Sequence, residues 1–193
     1  MLFEGISYSG AKPLPLPLHE ASVAVMVHML RQLSTILDKA AVHAEAAGID
    51  PATLVEARLA PDMFALSRQV QIASDTAKGC AARLAGMQPP GYPDTEASFP
   101  ELQERIAKTL RFLEGFGPER IDGREDEPVT IRLRDRPFTF SGRDYLLRFA
   151  LPNFYFHLTT AYDILRQRGV ALGKPDFLGE LPAGASPEEA GPA

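Results

Sequence analysis

The sequence predicts an all-α fold: a four-helix bundle with a small β-hairpin between helices 3 and 4. Three observations carry that prediction. Apolar residues recur every three to four positions in four long segments. Only one stretch, around EDEPVTIRLRDRPFTFSG, switches to a period of two. Proline and glycine interrupt the chain between these segments rather than within most of them. The links are long, which suits crossover connections better than a simple up-and-down arrangement.

Residues 1–18 precede the first helix, with Pro13, Pro15 and Pro17 alternating with leucine. Proline at every second position forbids both helix and central strand, so this is an extended, polyproline-like leader. The first helix is expected from Glu20 to Ala47, with Val23, Val27, Leu30, Leu37, Ala41 and Ala44 inward and Met26 and Leu33 beside them. Gly48 ends it, and His28 and His43 fall on its solvated side. Asp50-Pro51 then caps a short helical turn. The second helix opens at LAPDMF, where Asp62 is the expected cap, and runs to Leu84. Its inward face carries Met63, Leu66, Val70, Ala73, Ala77, Ala81 and Leu84. Arg68, Gln71, Asp75 and Lys78 form a polar stripe, expected to be solvated and internally paired. Cys80, the one cysteine, sits among alanines as a small buried hydrophobe.

The third helix, about Phe99 to Glu114, is introduced by Asp94-Thr95 and Ser98 and closed by Gly115 and Gly117. In the hairpin, Val129, Ile131 and Leu133 alternate with Thr130, Arg132 and Arg134. Asp135-Arg136-Pro137 is the expected turn, and Phe138-Thr139-Phe140 the return strand. The fourth helix starts near Ser141-Gly142 and spans Asp144 to Arg168, with Gly169 as its stop. Pro152 lies inside it and should bend it just before Asn153, releasing a carbonyl near Arg148. On the wheel Leu146, Phe149, Asn153, His157, Thr160 and Ile164 share one stripe. Asn153 and His157 are therefore inward polar groups one turn apart, and unpaired burial would cost each about 1–3 kcal/mol. The domain expected from these boundaries is 19–179, followed by a disordered tail over 180–193.

Composition narrows the function classes. The net charge of −5 disfavours nucleic acid as a partner. A single cysteine excludes an internal disulfide framework and a cysteine-based zinc site. No apolar run approaches the ~20 residues of a membrane span, and the first residues lack the pattern of a secretory signal. A cytoplasmic protein is the expectation.

Three stretches carry a family resemblance: ASVAVMVHMLRQLSTILDKAAVHAEAAGIDPATLVEARLAPDMF, RQVQIASDTAKG and DYLLRFALPNFYFHLTTAYDILRQRGVALGKPDF. Together they resemble the DUF1993 family across residues 18–179, and that family is similar to the DinB/YfiT-like superfamily. The resemblance implies a four-helix bundle that pairs as a homodimer. Many members of that superfamily bind a divalent metal through three histidines, one on helix 2 and an H-x-x-x-H pair on a later helix. At that spacing this chain has Asn153-x-x-x-His157, and helix 2 offers Gln71 and Asp75 but no histidine. The resemblance therefore implies at most weak divalent metal binding, because zinc and nickel prefer imidazole nitrogens.

Two readings follow. In one, the chain is a dimeric small-molecule-binding or non-catalytic protein with a degenerate metal site. In the other, it is a metal-dependent transferase or hydrolase. His157 would then act as ligand or general base, Asp75 would orient it or share ligation, and Asn153 and Gln71 would meet the substrate. The spread of Phe154, Tyr155, Phe156 and Tyr162 around the fourth helix exceeds one core face, so a hairpin or a second subunit should cover part of it.

Overall fold

The computed structural model describes residues 16–180; the leader up to residue 15 and the tail from 181 lie outside the described residues. The fold is mostly helical, with one two-stranded antiparallel sheet. Helix α1 is Val25–Ala47, continuous with a wider π turn at Glu20–Ala24. It ends at Gly48, whose φ of 63° places it in the left-handed region that favours glycine. Short α2 is Pro51–Val55, capped by the Asp50 carboxylate. Helices α3 (Leu66–Leu84), α4 (Phe99–Leu113) and the short α5 (Pro118–Ile121) follow. The strands are β1 (Pro128–Leu133) and β2 (Arg136–Ser141). Beyond them lie α6 (Gly142–Tyr145), a π turn at Leu146–Ala150, α7 (Leu151–Gln167) and α8 (Lys174–Leu178).

Four long helices form the body. Helix α1 packs on α4, α4 on α3, α3 on α7, and α7 back on α1. The pairing of α3 with α7 is the most extensive. Helix α3 is rich in alanine, which lets its neighbours approach closely, and 14 of its 19 residues are buried. It is enclosed on nearly every side. Along α1 the core is Met26, Met29, Leu30, Leu33, Ile36, Leu37, Ala40 and Ala44; Val27 and Ala41, expected inward, are only half-buried. Described helices include none long and apolar enough to cross a membrane.

Several local expectations are corrected. Asp62 is exposed and caps nothing, because the chain stays irregular through Phe64 and helix α3 starts only after Ala65. Its first amide is satisfied instead by the Ala57 carbonyl at 2.9 Å. Ser98 does cap α4, and Glu101 reaches back to the Ala97 amide at 2.8 Å. The hairpin turns at Arg134-Asp135, both with positive φ (47° and 65°), and Arg136 and Pro137 already belong to β2. Val129 and Ile131 are buried as the alternation requires, but Leu133 at the tip is exposed.

The hairpin is fastened at its base. The Gly142 and Arg143 amides each donate a 2.8 Å hydrogen bond, to the Glu127 and Glu125 carbonyls respectively. A Cβ on Gly142 would lie 2.3 Å from the Arg124 carbonyl oxygen, so only glycine permits this approach. Pro152 is accommodated by the π turn before it, in which the Leu151 amide bonds to the Leu146 carbonyl five residues back. The aromatic excess is shared differently from the expectation. Phe154 is in the core, and Tyr162 meets Phe177 of α8 edge-on at 5.8 Å, while Phe156 remains exposed.

Candidate functional site

Helices α3 and α7 bring two polar pairs together inside their apolar seam. The Asn153 Nδ2 donates to Thr76 Oγ1 at 2.8 Å. The His157 Nδ1 lies 2.7 Å from Gln69 Oε1. Gln69 is fully buried, and its Nε2 donates at 3.0 Å to the carbonyl of Phe64, on the loop between α2 and α3. His157 is buried too, with the Phe156 ring edge-on at 5.2 Å. Its Nε2 has no protein partner among the described residues, yet it is not among the polar atoms sealed from solvent.

Burial, reinforced by the Arg68 guanidinium, pushes the His157 imidazole below its ordinary range. The native imidazole therefore resists protonation more than the unfolded one. Its contribution to stability is complete above the unfolded histidine value of about 6.5. That contribution is lost as the pH falls from there through the native value. Urea unfolding of the wild type should accordingly lose midpoint as the pH is lowered from about 7.5 to about 5.5, by more than the His157→Gln variant does. Equal slopes would mean that the native histidine titrates like the unfolded one.

Asp75 and Gln71 belong to a different cluster. Asp75 accepts from Arg105 Nη2 at 2.9 Å and from Lys78 Nζ at 2.8 Å. Gln71 accepts from Arg68 at 3.1 Å and donates to Glu96 at 3.0 Å. Asp75, expected beside His157, makes no hydrogen bond to it: the imidazole meets Gln69, and Asp75 pairs with Arg105 and Lys78. The Arg105 side chain, only 1% exposed, also reaches Glu96 at 2.9 Å, Asp94 at 3.0 Å and the Pro93 carbonyl at 3.0 Å. Burial works against its charge, but Glu96, Asp75 and Asp94 outweigh it and raise its pKa. Burial would likewise push the Asp94 carboxyl up, but Arg68 and Arg105 together hold it below its usual range. The Tyr92 ring lies between Lys78 and Lys108, with Nζ atoms 3.8 and 4.0 Å from its centre.

The polar stripe of α3 is internally paired as expected, Arg68 with Gln71 and Lys78 with Asp75, but only Arg68 and Asp75 keep part of their side chains in solvent. The segment Tyr92–Glu96 and the Arg105 side chain lie over it, leaving Gln71 and Lys78 buried. Of the other histidines, His28 is exposed, with Nε2 2.8 Å from the Leu178 carbonyl, and His43 is half-buried. Cys80 is enclosed, and burial raises its thiol to about 12.

Two cavities neighbour the loop that covers Gln69. One, about 440 Å³, is bounded by Leu59, Met63, Tyr155, Phe156 and Thr160. The other, about 470 Å³ and polar, is bounded by Phe64, Arg68, Gln71, Asp94 and Glu96. His157 lines neither. A larger apolar cavity of about 760 Å³ lies elsewhere, between Leu16–Ala21, Asp122–Glu125 and Arg143–Leu147. Around His157 the donors are one imidazole, two amide side chains and a hydroxyl. Among the described residues no three His, Cys, Asp or Glu side chains are grouped to hold a metal. That donor set does not fit a divalent cation.

A family model described as a domain of unknown function, DUF1993, matches residues 18–178. The chain belongs to this family. A solved structure similar to this DUF1993 protein is the crystal structure of a DinB family member from Shewanella denitrificans. The two are 41% identical, with a TM-score of 0.81, and the match covers 88% of this chain and 96% of the other. No curated protein matches the chain significantly.

Two residues of the site escaped the sequence reading. Gln69 and Thr76 stand seven apart on the same face as Leu66, Val70, Ala73 and Ala77. Two hydrogen-bonding residues at a spacing of two turns on an apolar face were the available signal. Paired against Asn153 and His157 of an antiparallel helix, they would have named each other.

Proposed function

We propose that this DUF1993 protein is a DinB/YfiT-like four-helix bundle that acts as a homodimeric small-molecule-binding protein with a degenerate metal site. The closed ring of contacts among α1, α4, α3 and α7 supports the bundle. The single observation that carries the function is the Gln69–His157 hydrogen bond beside Asn153–Thr76. Neutral partners satisfy the two positions where the superfamily's paired histidines stand, and His157 keeps one ring nitrogen for a visitor. Phe156 and Leu147, each more than half exposed, supply apolar surface for the second subunit.

Equilibrium dialysis of untagged protein against zinc tests the reading. Less than stoichiometric retention, unchanged in the His157→Ala variant, is expected. Stoichiometric zinc that disappears in that variant would restore the metal-dependent enzyme reading. Sedimentation at micromolar concentration should find a dimer, and a monomer there removes the subunit contact.

A further inference from the structure

We infer that Gln69 is a positioning residue that locks His157 in the Nδ1–H tautomer, so that Nε2 presents a lone pair to a ligand that donates a proton or a hydrogen bond. The argument is a chain of obligatory roles. The Phe64 carbonyl only accepts, so the Gln69 atom 3.0 Å from it is the amino group, Nε2. The other end of the same planar amide is then the carbonyl Oε1, which also only accepts. Facing it at 2.7 Å, His157 Nδ1 supplies the hydrogen. A neutral imidazole carries one hydrogen, so Nε2 carries none.

The orientation is firmly held. Gln69 is 1% exposed, so neither end of its amide exchanges its partner for bulk water without cost. Flipping the amide would set two acceptors, Gln69 Oε1 and the Phe64 carbonyl, against each other. A histidine side chain free in water favours the opposite tautomer, with hydrogen on Nε2, so the glutamine reverses an intrinsic preference. Burial disfavours the charged ring, and the Arg68 guanidinium, hydrogen-bonded to Gln71 and paired with Asp94, adds to that effect.

This selects a ligand class, an inference that rests on reading His157 as the ligand's contact. A hydroxyl, a thiol or water can donate to the Nε2 lone pair. A carboxylate or phosphate oxygen placed there would meet a second acceptor and lose its own hydration.

The test is the tautomer itself. In protein labelled with nitrogen-15 in its imidazoles, long-range proton–nitrogen spectra above the titration range distinguish a bare ring nitrogen from a protonated one. The His157→Gln variant assigns the resonance. Wild-type Nε2 should appear as the bare nitrogen and Nδ1 as the protonated one. In the Gln69→Leu variant the Nδ1–H form should fall from the dominant to the minor species. A residue that merely filled space would leave the tautomer unchanged.

If the Gln69→Leu variant does not fold, Gln69→Glu supplies the second arm. Its carboxylate still accepts from Nδ1, so the tautomer should persist while the imidazole pKa rises. A protonated Nε2 in the neutral wild type, or a tautomer indifferent to both substitutions, overturns the inference and leaves the zinc and sedimentation results standing. Titration with 2-mercaptoethanol should move the Nε2 resonance, and acetate at the same concentration should not. The reverse order overturns the ligand class while leaving the tautomer assignment intact.

Discussion

Arg105→Met should lower the stability of this protein by about 3 kcal/mol, the lower end of what breaking a buried ion pair costs. The methionine fills much of the same volume, so the loss isolates the charge. Its guanidinium joins three carboxylates and the carbonyls of Pro93 and Gln71 across two helices and a linker. Without it Asp75 keeps only Lys78, Asp94 keeps only Arg68, and Glu96 loses its ion pair altogether. They are 38%, 34% and 14% exposed, so water recovers part of the loss, and the lower end of the range applies. For a chain of this size the melting temperature should fall by roughly 6–12 °C. Urea unfolding of the variant beside the wild type measures the change. A cost below about 1 kcal/mol would mean that the cluster behaves like a surface ion pair. The His157 tautomer should be unchanged, because its ring hydrogen bond runs to Gln69 and not to this cluster.

Phe154→Ala should cost about 3–5 kcal/mol, as large-to-small changes of buried aromatics do. The ring is wholly buried on α7, in the most extensive helix pairing of the fold, and meets Tyr155 edge-on at 5.7 Å. Close-packed surroundings collapse only partly into the space left behind. Phe154→Leu, which leaves a smaller void, should recover more than half of the loss. Calorimetric or chemical unfolding of the two variants decides it. Equal costs would indicate that the neighbourhood relaxes fully around either side chain.

Much of the architecture was legible because it follows from periodicity and end signals. Along α3 the inward residues Leu66, Val70, Ala73, Ala77, Ala81 and Leu84 are where the 3.6-residue pattern puts them, while Met63 lies ahead of the helix and is only half-buried; Ser98 and Gly48 punctuate helices as their chemistry requires. The polar stripe of α3 is paired as its spacing predicts, but it is less solvated than a helical wheel implies, for a physical reason. Arg68, Gln71, Asp75 and Lys78 look solvated on a wheel, since nothing local says that Arg105 and Tyr92–Glu96 will lie over them. Burial of a charged face is a tertiary fact.

The candidate site divides the same way. Asn153 and His157 were evident as polar residues on an apolar stripe, but their partners come from a helix some eighty residues away. Asp75 stands on the right helix but on another face, where it meets Arg105 and Lys78. Asp62 looked like a cap by residue type, yet Pro61 and the loop that shelters Gln69 place it in solvent. Local chemistry proposes a role, and the three-dimensional neighbour decides it.

The wide turn at Leu146–Ala150 has a further consequence for how this chain tolerates insertions and deletions. Each residue of an α-helix advances the side chains by about 100°. The π turn absorbs one residue beyond the ordinary spacing and so sets the angular phase between Tyr145, buried beside the hairpin, and Phe154, His157 and Ala161 farther on. Deleting any one residue there would close the helix neatly and rotate one half against the other. Either the hairpin would lose its seat or His157 would swing away from Gln69. The locally irregular stretch is thus the gear tooth that keeps two well-packed halves in mesh.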